Sequence, residues 1–162
     1  EGYYFEDRHH DLDKFAGEWE GTGFGDHQWR ARIIVQKKAN YYDSYWYDAL
    51  GLELSITKNG KACITPTDSF LPGTSFIRGG GFIWDREKSS LQLDVYRMPF
   101  FYGKADKPYQ ELANVLLCLN AAHDTIVVRR SHLVGIDRPV IIPDYLSVPY
   151  DAEVCTLRRV KK

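Results

Sequence analysis

Hydrophobic and polar residues alternate along most of the chain, so that apolar side chains recur at every second position. In the segment 27–35 the apolar positions are Trp29, Ala31, Ile33 and Val35, and the opposite side is basic, with Arg30 and Arg32. A period of two is that of a β-strand, whose successive side chains point to opposite faces of a sheet. The alternation therefore predicts strands that each bury one face.

Strand-like segments of this kind follow one another along the chain. We place them at 15–23, 27–35, 40–48, 75–84, 90–98, 112–119, 125–136 and 152–160, with a further hairpin at 55–64 around Asn59-Gly60. An Asn-Gly pair between two strand-like runs favours a two-residue turn, because both residues accept positive φ. About nine strands with almost no helix predict an all-β fold, a single antiparallel up-and-down β-barrel of about eight to ten strands.

The length of the chain fits one domain. At 162 residues the chain is near the usual size of a domain with a single core. We assign 1–162 to one β-barrel domain, in which 1–14 form a partly irregular N-terminal segment. Residues 11–15 are compatible with one short helical turn before the first strand.

Charge and hydropathy argue against two classes of partner. The 21 Lys and Arg residues and the 22 Asp and Glu residues give a formal net charge of -1, so no positive field attracts nucleic acid. No apolar run approaches the roughly 18 residues that span a bilayer. We expect neither a nucleic-acid partner nor a membrane span, and the localisation stays open.

Three cysteines, Cys63, Cys118 and Cys155, are spread through the chain. They form no C-x-x-C motif or Cys/His cluster that would predict a zinc site, and their odd number leaves at least one thiol unpaired within a monomer. Two alternatives remain open. Either one disulfide forms, or all three residues are buried thiols that act as small hydrophobic side chains.

The run Phe15-Ala16-Gly17-Glu18-Trp19 is a short turn that leads into Gly-x-Trp at the start of the first strand. In this feature the chain resembles the calycin superfamily of lipocalins, fatty-acid-binding proteins and related small barrels. The resemblance implies that Trp19 plugs the closed end of the barrel and that a basic residue near the last strand, Arg158 or Arg159, packs over it.

The same resemblance has two further implications. A lipocalin-style disulfide would join Cys63 to Cys155, and a small ligand would occupy the interior of the barrel. Lipocalins also place a helix before their last strand, whereas the segment 137–150 carries Pro139, Pro143 and Pro149, which disfavour a long helix. A lipocalin-like or fatty-acid-binding-like relative is therefore favoured over a true lipocalin.

The strand at 125–135 carries the clearest candidate for chemistry. Ile126, Val128, Arg130, His132 and Val134 share one face. If this face points inward, Arg130 can pair with a carboxylate or phosphate, and His132 can supply an imidazole for acid–base work. An inward Asp94 would then be a general base or a counter-ion for Arg130. The alternative is that Val127, Arg129, Ser131 and Leu133 face inward and that Arg130, His132 and Asp94 are solvated.

Aromatic side chains make up 14% of the chain, and such side chains commonly line ligand pockets. Tyr42 and Trp46 share one face of the segment 40–48. We predict a ligand-contacting set that consists of Trp29, Tyr42, Trp46, Tyr96, Arg130 and His132. Ordinary packing within strands is the alternative for each aromatic member.

Three functional hypotheses follow. The first is that the protein holds a small apolar or aromatic molecule, with or without an acidic group, inside the barrel. The second is a barrel enzyme, an isomerase, cyclase, lyase or dehydratase, that uses Arg130, His132 and Asp94 on a small hydrophobic metabolite. The third is an interaction module that uses the Tyr-rich segment, for example as a homodimer. None of the three requires a cofactor or a metal.

Overall fold

The computed structural model describes residues 3–42, 45–64, 77–78, 81–102, 110–131 and 143–161. Eleven strands form one sheet. They are β1 (Tyr3–Phe5), β2 (Gly17–Thr22), β3 (Gln28–Tyr42), β4 (Tyr45–Lys58), β5 (Lys61–Ile64), β6 (Ile77–Arg78), β7 (Gly81–Asp85), β8 (Ser90–Tyr102), β9 (Gln110–Leu119), β10 (Thr125–Ser131) and β11 (Glu153–Arg159). Three 3-10 helices, Asp13–Phe15, Phe24–Asp26 and Asp144–Leu146, are the only helices in the described part of the chain.

Nine of the strands form a continuous path in the order β1-β4-β3-β2-β11-β10-β9-β8-β7, and β5 and β6 both pair with β4 beside that path. The first long strand, β2, pairs with the last strand, β11, so the sheet curls round in the manner of half a barrel. The prediction of an all-β fold is confirmed.

The prediction of a closed, purely antiparallel barrel is wrong. The path ends at β1 on one side and at β7 on the other, and β1 pairs with β4 in parallel. No hairpin joins β1 to β4, so nothing in the connection forces the two strands to be antiparallel. Across the opening, the N–H of Leu50 in β4 donates a hydrogen bond of 3.2 Å to the Tyr96 hydroxyl in β8.

The predicted inward faces agree with the observed burial. The set Trp29, Ala31 and Ile33 is 1–3% exposed. The predicted hairpin turn is also present, with Asn59 at φ 50° and Gly60 at φ 74° between β4 and β5, and a short helical turn, Asp13–Phe15, precedes β2. Alternation and turn chemistry therefore predicted most strands correctly.

The strand predicted at 40–48 is wrong. The segment contains the end of β3 and the start of β4, and Tyr42 pairs with Tyr45 in the antiparallel register between them. Tyr and Trp flank Asp43-Ser44 on both sides, so the high strand propensity of the flanks hid the boundary between two strands. Tyr42 and Trp46 consequently belong to different strands.

One apolar cluster fills the concave side of the sheet. Its largest fully buried side chains include Trp19, Trp29, Tyr96 and Phe15. Phe15 projects from the first 3-10 helix, and the centroid of its ring lies 6.2 Å from that of the Tyr96 ring. Tyr145 and Leu146, from the last 3-10 helix, cover another part of the cluster.

All three cysteines are free thiols, so the Cys63–Cys155 disulfide expected from the resemblance is absent. Cys63 is exposed and lies on β5, whereas Cys155 is buried on β11. The two strands do not pair in the sheet.

Within the described ranges, no helix is long and apolar enough to cross a membrane.

Candidate functional site

The inward face of β10 is the one that carries Arg130. Ile126 and Val128 are 0% and 1% exposed, whereas Arg129 is exposed, so the alternative face is excluded over the described part of the strand. The Arg130 guanidinium donates a hydrogen bond to the carbonyl of Val148 and lies 4.5 Å from the centre of the Tyr150 ring. Its described contacts therefore hold the segment 143–150 against β10.

Asp94 does not serve as the counter-ion of Arg130. Its carboxylate accepts a hydrogen bond of 2.8 Å from the Lys14 ammonium group, and its side chain is 60% exposed. Asp94 lies on the same face of β8 as the buried Tyr96, but closer to the start of the strand. There it meets Lys14 of the first 3-10 helix. Arg130 and Asp94, two of the three predicted catalytic residues, are thus bound to different groups, and His132 lies outside the described residues.

The predicted aromatic set is divided among different places. Trp46 is 41% exposed and pairs in register with Tyr4 of β1. Tyr96 is buried beside Phe15, and burial raises the pKa of its hydroxyl. The side chain of Tyr42 lies outside the described part of the structure. Trp46 and Tyr96 therefore do not line one common pocket.

Trp29 is the predicted residue that does reach a pocket. Its ring packs edge-on against Tyr145, with 6.2 Å between centroids, and it is 2% exposed. Trp29 also belongs to the lining of a groove on the outer, convex side of the sheet, although its ring packs into the core. The groove has a volume of about 880 Å³, which is within the range of small-molecule sites. Its lining comes from β2, β3, β4 and β11 and consists of Glu20, Gly21, Thr22, Gln28, Trp29, Arg30, Ser55, Thr57, Thr156 and Arg158.

Two glycines, Gly21 in β2 and Gly23 just after it, lie where β11 crosses this part of the sheet. A β-carbon on Gly21 would lie only 1.9 Å from the carbonyl oxygen of Thr156. A β-carbon on Gly23 would lie 2.8 Å from Nε1 of Trp29. The two glycines thus allow β11 and the indole to approach the backbone of β2 closely.

Charged residues form a row across the groove. Arg158 of β11 is the register partner of Glu20, and Glu20 is the partner of Arg30 in β3. Ser55 of β4 continues the row beyond Arg30. In the described structure, neither arginine has a carboxylate oxygen within 4.0 Å, whereas Arg32, two residues further along β3, is 3.8 Å from Glu18 and 3.6 Å from Glu53. Arg158 does act on Asp124 at longer range, since its charge contributes to the lowered pKa of that carboxyl.

Hydroxyl and amide groups complete the lining. Thr22 donates a hydrogen bond of 3.0 Å to the side-chain oxygen of Gln28. Thr57 is opposite Gln28 on the other side, and Thr156 lies beside Gly21. Such groups both donate and accept hydrogen bonds, so the groove can bind the polar groups of a ligand.

The sequence contained one signal for this site. Arg30 and Arg32 show that the outer side of the segment 27–35 is basic, but the alternation predicts only that this side is exposed to solvent. The partner residues on β11 and β4 are more than twenty positions away in the chain, and their convergence depends on the strand order. A pattern within single strands does not contain that order.

Among the described residues, no three His, Cys, Asp or Glu side chains are grouped so as to hold a metal ion. Comparisons with protein-family models, with curated proteins and with solved structures find no match to this chain. A function can therefore be inferred only from the geometry of the described residues.

Proposed function

We propose that the protein is a small-molecule-binding protein that takes a polar, anionic ligand in the outer groove. The observation that carries the proposal is that Arg30 and Arg158 line the same groove of about 880 Å³, and that neither has a carboxylate oxygen of a described residue within 4.0 Å. Guanidinium groups bind carboxylates and phosphates through paired N–H donors, which gives both attraction and orientation.

The other lining groups favour a ligand with hydroxyl or amide functions beside its anionic group. Glu20 lies between the two arginines in register and limits the positive charge of the row, so a ligand of low charge is favoured over a polyanion. This is the arrangement of a site in which a few polar groups fix the orientation of the ligand.

The test is a titration followed by heteronuclear NMR, with inorganic phosphate and citrate as anionic probes and glucose as the neutral probe. We expect shifts of the Gly21 and Thr156 amides with the anions only. Replacement of either arginine (Arg30→Gln or Arg158→Gln) should weaken binding about tenfold or more, because a charge-assisted hydrogen bond contributes roughly 1.5 to 3 kcal/mol.

The matched control is Arg32→Gln on the same strand, since Arg32 is already paired with Glu18 and Glu53. Binding in this variant should stay within about twofold of the parent protein. Equal weakening in all three variants would mean that the general charge of the surface, and not the groove, attracts the anion. Absence of shifts at Gly21 and Thr156 with every probe would overturn the proposal.

Relationship to the calycins is part of the same proposal. Two features support it: Arg159 lies over the ring of Trp19 at 4.2 Å, and the strands that carry these residues pair with each other. The resemblance implied this placement of a basic residue over the tryptophan. The calycin resemblance implies an interior ligand, so it bears on the relationship of the fold and not on the outer groove.

An interior ligand and an enzymatic activity stay predictions. The described side chains on the concave side pack closely against one another; for example, Leu54, Ile56 and Met98 are each 0% exposed. Arg130 and Asp94 are engaged by other groups. Native mass spectrometry of the freshly purified protein addresses the interior hypothesis, because an interior ligand would add mass that is lost on denaturation.

A further inference from the structure

Polar side chains of the outer groove lie in two rows that cross the strands. The charged row consists of Arg158, Glu20, Arg30 and Ser55. Two positions further along the same strands, the side chains carry hydroxyl and amide groups. We call this second set the neutral row, and it comprises Thr156, Thr22, Gln28 and Thr57. Two residues of a strand span about 7 Å, so a ligand that reaches both rows lies along the strands.

Hydrogen bonds within the protein fix the direction of the Thr22 hydroxyl in the neutral row. The side-chain nitrogen of Gln28 donates to the carbonyl of Asp26 at 3.4 Å, which turns the side-chain oxygen of Gln28 towards Thr22. Thr22 therefore donates its proton to that oxygen, at 3.0 Å. Because a hydroxyl has one proton and two lone pairs, the Thr22 oxygen meets a ligand as an acceptor.

The hydroxyl of Thr156 is engaged in the same way. It donates to a carboxylate oxygen of Glu153 on the same strand, and an ionised carboxylate only accepts. The Glu20 carboxylate lies between the two arginines in register and adds a further acceptor. Acceptors on β2 and β11 thus require donors from the ligand, whereas the guanidinium groups on β3 and β11 have donors alone.

This division of donors and acceptors selects a class of ligand. We propose, on the basis of the anion-binding function above, that the groove binds a sugar that carries one phosphate or carboxylate group. The anionic group lies at the charged row, and ring hydroxyls donate to Thr22 and Thr156. A hexose ring separates an anionic group on one side from the hydroxyls of the far side by about the distance between the rows. An anion without hydroxyls would displace water from these acceptors and would not replace its hydrogen bonds.

The first test compares four probes on the parent protein by NMR titration, with the Gly21 and Thr156 amides as reporters. The probes are glucose 1-phosphate, glucuronate, cyclohexyl phosphate and inorganic phosphate. Cyclohexyl phosphate has the charge and the six-membered ring of glucose 1-phosphate but no ring hydroxyls. We expect glucose 1-phosphate to bind at least about tenfold more tightly than cyclohexyl phosphate, because each neutral hydrogen bond contributes about twofold to tenfold in affinity.

Two variants test whether the neutral row recognises the hydroxyls. Thr22→Val and Thr156→Val remove a hydroxyl and keep the β-branched shape of the side chain. Each should lower the affinity for glucose 1-phosphate by about threefold to tenfold and leave that for cyclohexyl phosphate unchanged. The matched control is Ser90→Ala, which removes an exposed hydroxyl on β8 outside the groove and should change neither affinity. Circular dichroism of each variant establishes that the sheet is intact.

The outcomes separate recognition of a sugar from binding of an anion. If cyclohexyl phosphate binds at the reporter amides as tightly as glucose 1-phosphate, anion binding stands and the sugar is overturned. An undiminished preference for glucose 1-phosphate in both threonine variants would overturn the role of the neutral row. Absence of shifts with every probe would overturn anion binding and the sugar together. Tighter binding of glucuronate than of glucose 1-phosphate identifies a sugar acid as the ligand, and the reverse order identifies a sugar phosphate.

Discussion

The guanidinium carbon of Arg159 lies 4.2 Å from the centre of the Trp19 ring, and the two residues are register partners in β11 and β2. The guanidinium also donates hydrogen bonds of 2.6 Å to the carbonyls of Ala16 and Lys14 and one of 2.8 Å to the carbonyl of His123. Arg159 thus joins the first and last long strands to the first 3-10 helix and to the turn between β9 and β10.

Replacement of this arginine should destabilise the fold strongly. Arg159→Lys keeps the charge but loses the planar set of donors, so we expect the free energy of unfolding to fall by roughly 2 to 4 kcal/mol. Urea unfolding followed by tryptophan fluorescence measures the change. The adjacent Arg158→Lys should change the stability by no more than about 0.5 kcal/mol, since Arg158 is exposed. Similar losses in both variants would contradict the role assigned to Arg159.

The sequence predicted those elements whose information is local. Trp29, Ala31 and Ile33 alternate with polar residues and are buried as expected. Asn59-Gly60 encodes its own turn through positive φ angles. Each of these features depends on neighbours within a few positions of the chain.

Features that depend on distant parts of the chain could not be predicted in this way. The parallel pairing of β1 with β4 joins residues more than forty positions apart, and no pattern within three residues specifies a partner strand. The groove requires Arg158 and Arg30 to meet across β2. The contacts of Arg130 with Val148 and Tyr150 depend on how the segment 143–150 returns over the sheet.

Asp48 connects the N-terminal segment to the sheet, and its charge should make the fold sensitive to acid. Its buried carboxylate accepts hydrogen bonds from the Tyr4 hydroxyl, the Lys37 ammonium group and the N–H groups of Asp7 and Lys38. Burial by itself raises the pKa of Asp48, but these donors outweigh burial and lower that pKa to about 2. The ordinary value is about 3.9.

The sign of the pH effect follows from the lowered pKa. The ionised carboxylate stabilises the folded state above about pH 4, and this contribution is lost as the pH falls from about 4 to 2. Asp48→Asn should lower the stability at pH 7 by roughly 2 kcal/mol or more and flatten the loss between pH 4 and 2. Urea midpoints across this range measure both effects. Asp94→Asn is the control, because Asp94 is 60% exposed; an equal pH dependence in both variants would refute the assignment.

Close approach of β11 to β2 makes Gly21 sensitive to the smallest substitution. In Gly21→Ala, the new β-carbon would lie 1.9 Å from the carbonyl oxygen of Thr156, so the pairing of the two strands must shift. We expect a loss of at least about 2 kcal/mol in urea unfolding, within the range for steric strain, together with altered amide shifts of Thr156. Gly81→Ala has no atom within 4 Å of its β-carbon and should be neutral or slightly stabilising. A neutral Gly21→Ala would exclude the close approach.

The three thiols should react in the order of their exposure. Cys63 is exposed, Cys118 is half-buried and Cys155 is 1% exposed. Burial raises the pKa of both Cys118 and Cys155, and the thiolate is the reactive form. With a thiol reagent on the native monomer, we therefore expect fast reaction at Cys63, slow reaction at Cys118 and reaction at Cys155 only after unfolding.

Intact mass of the protein alkylated in denaturant without reductant should show three modified thiols, whereas one modified thiol would establish a disulfide and contradict the separation of β5 from β11. Cys63→Ser should remove the fast phase alone, because neither of the other two thiols becomes more accessible when the exposed one is replaced.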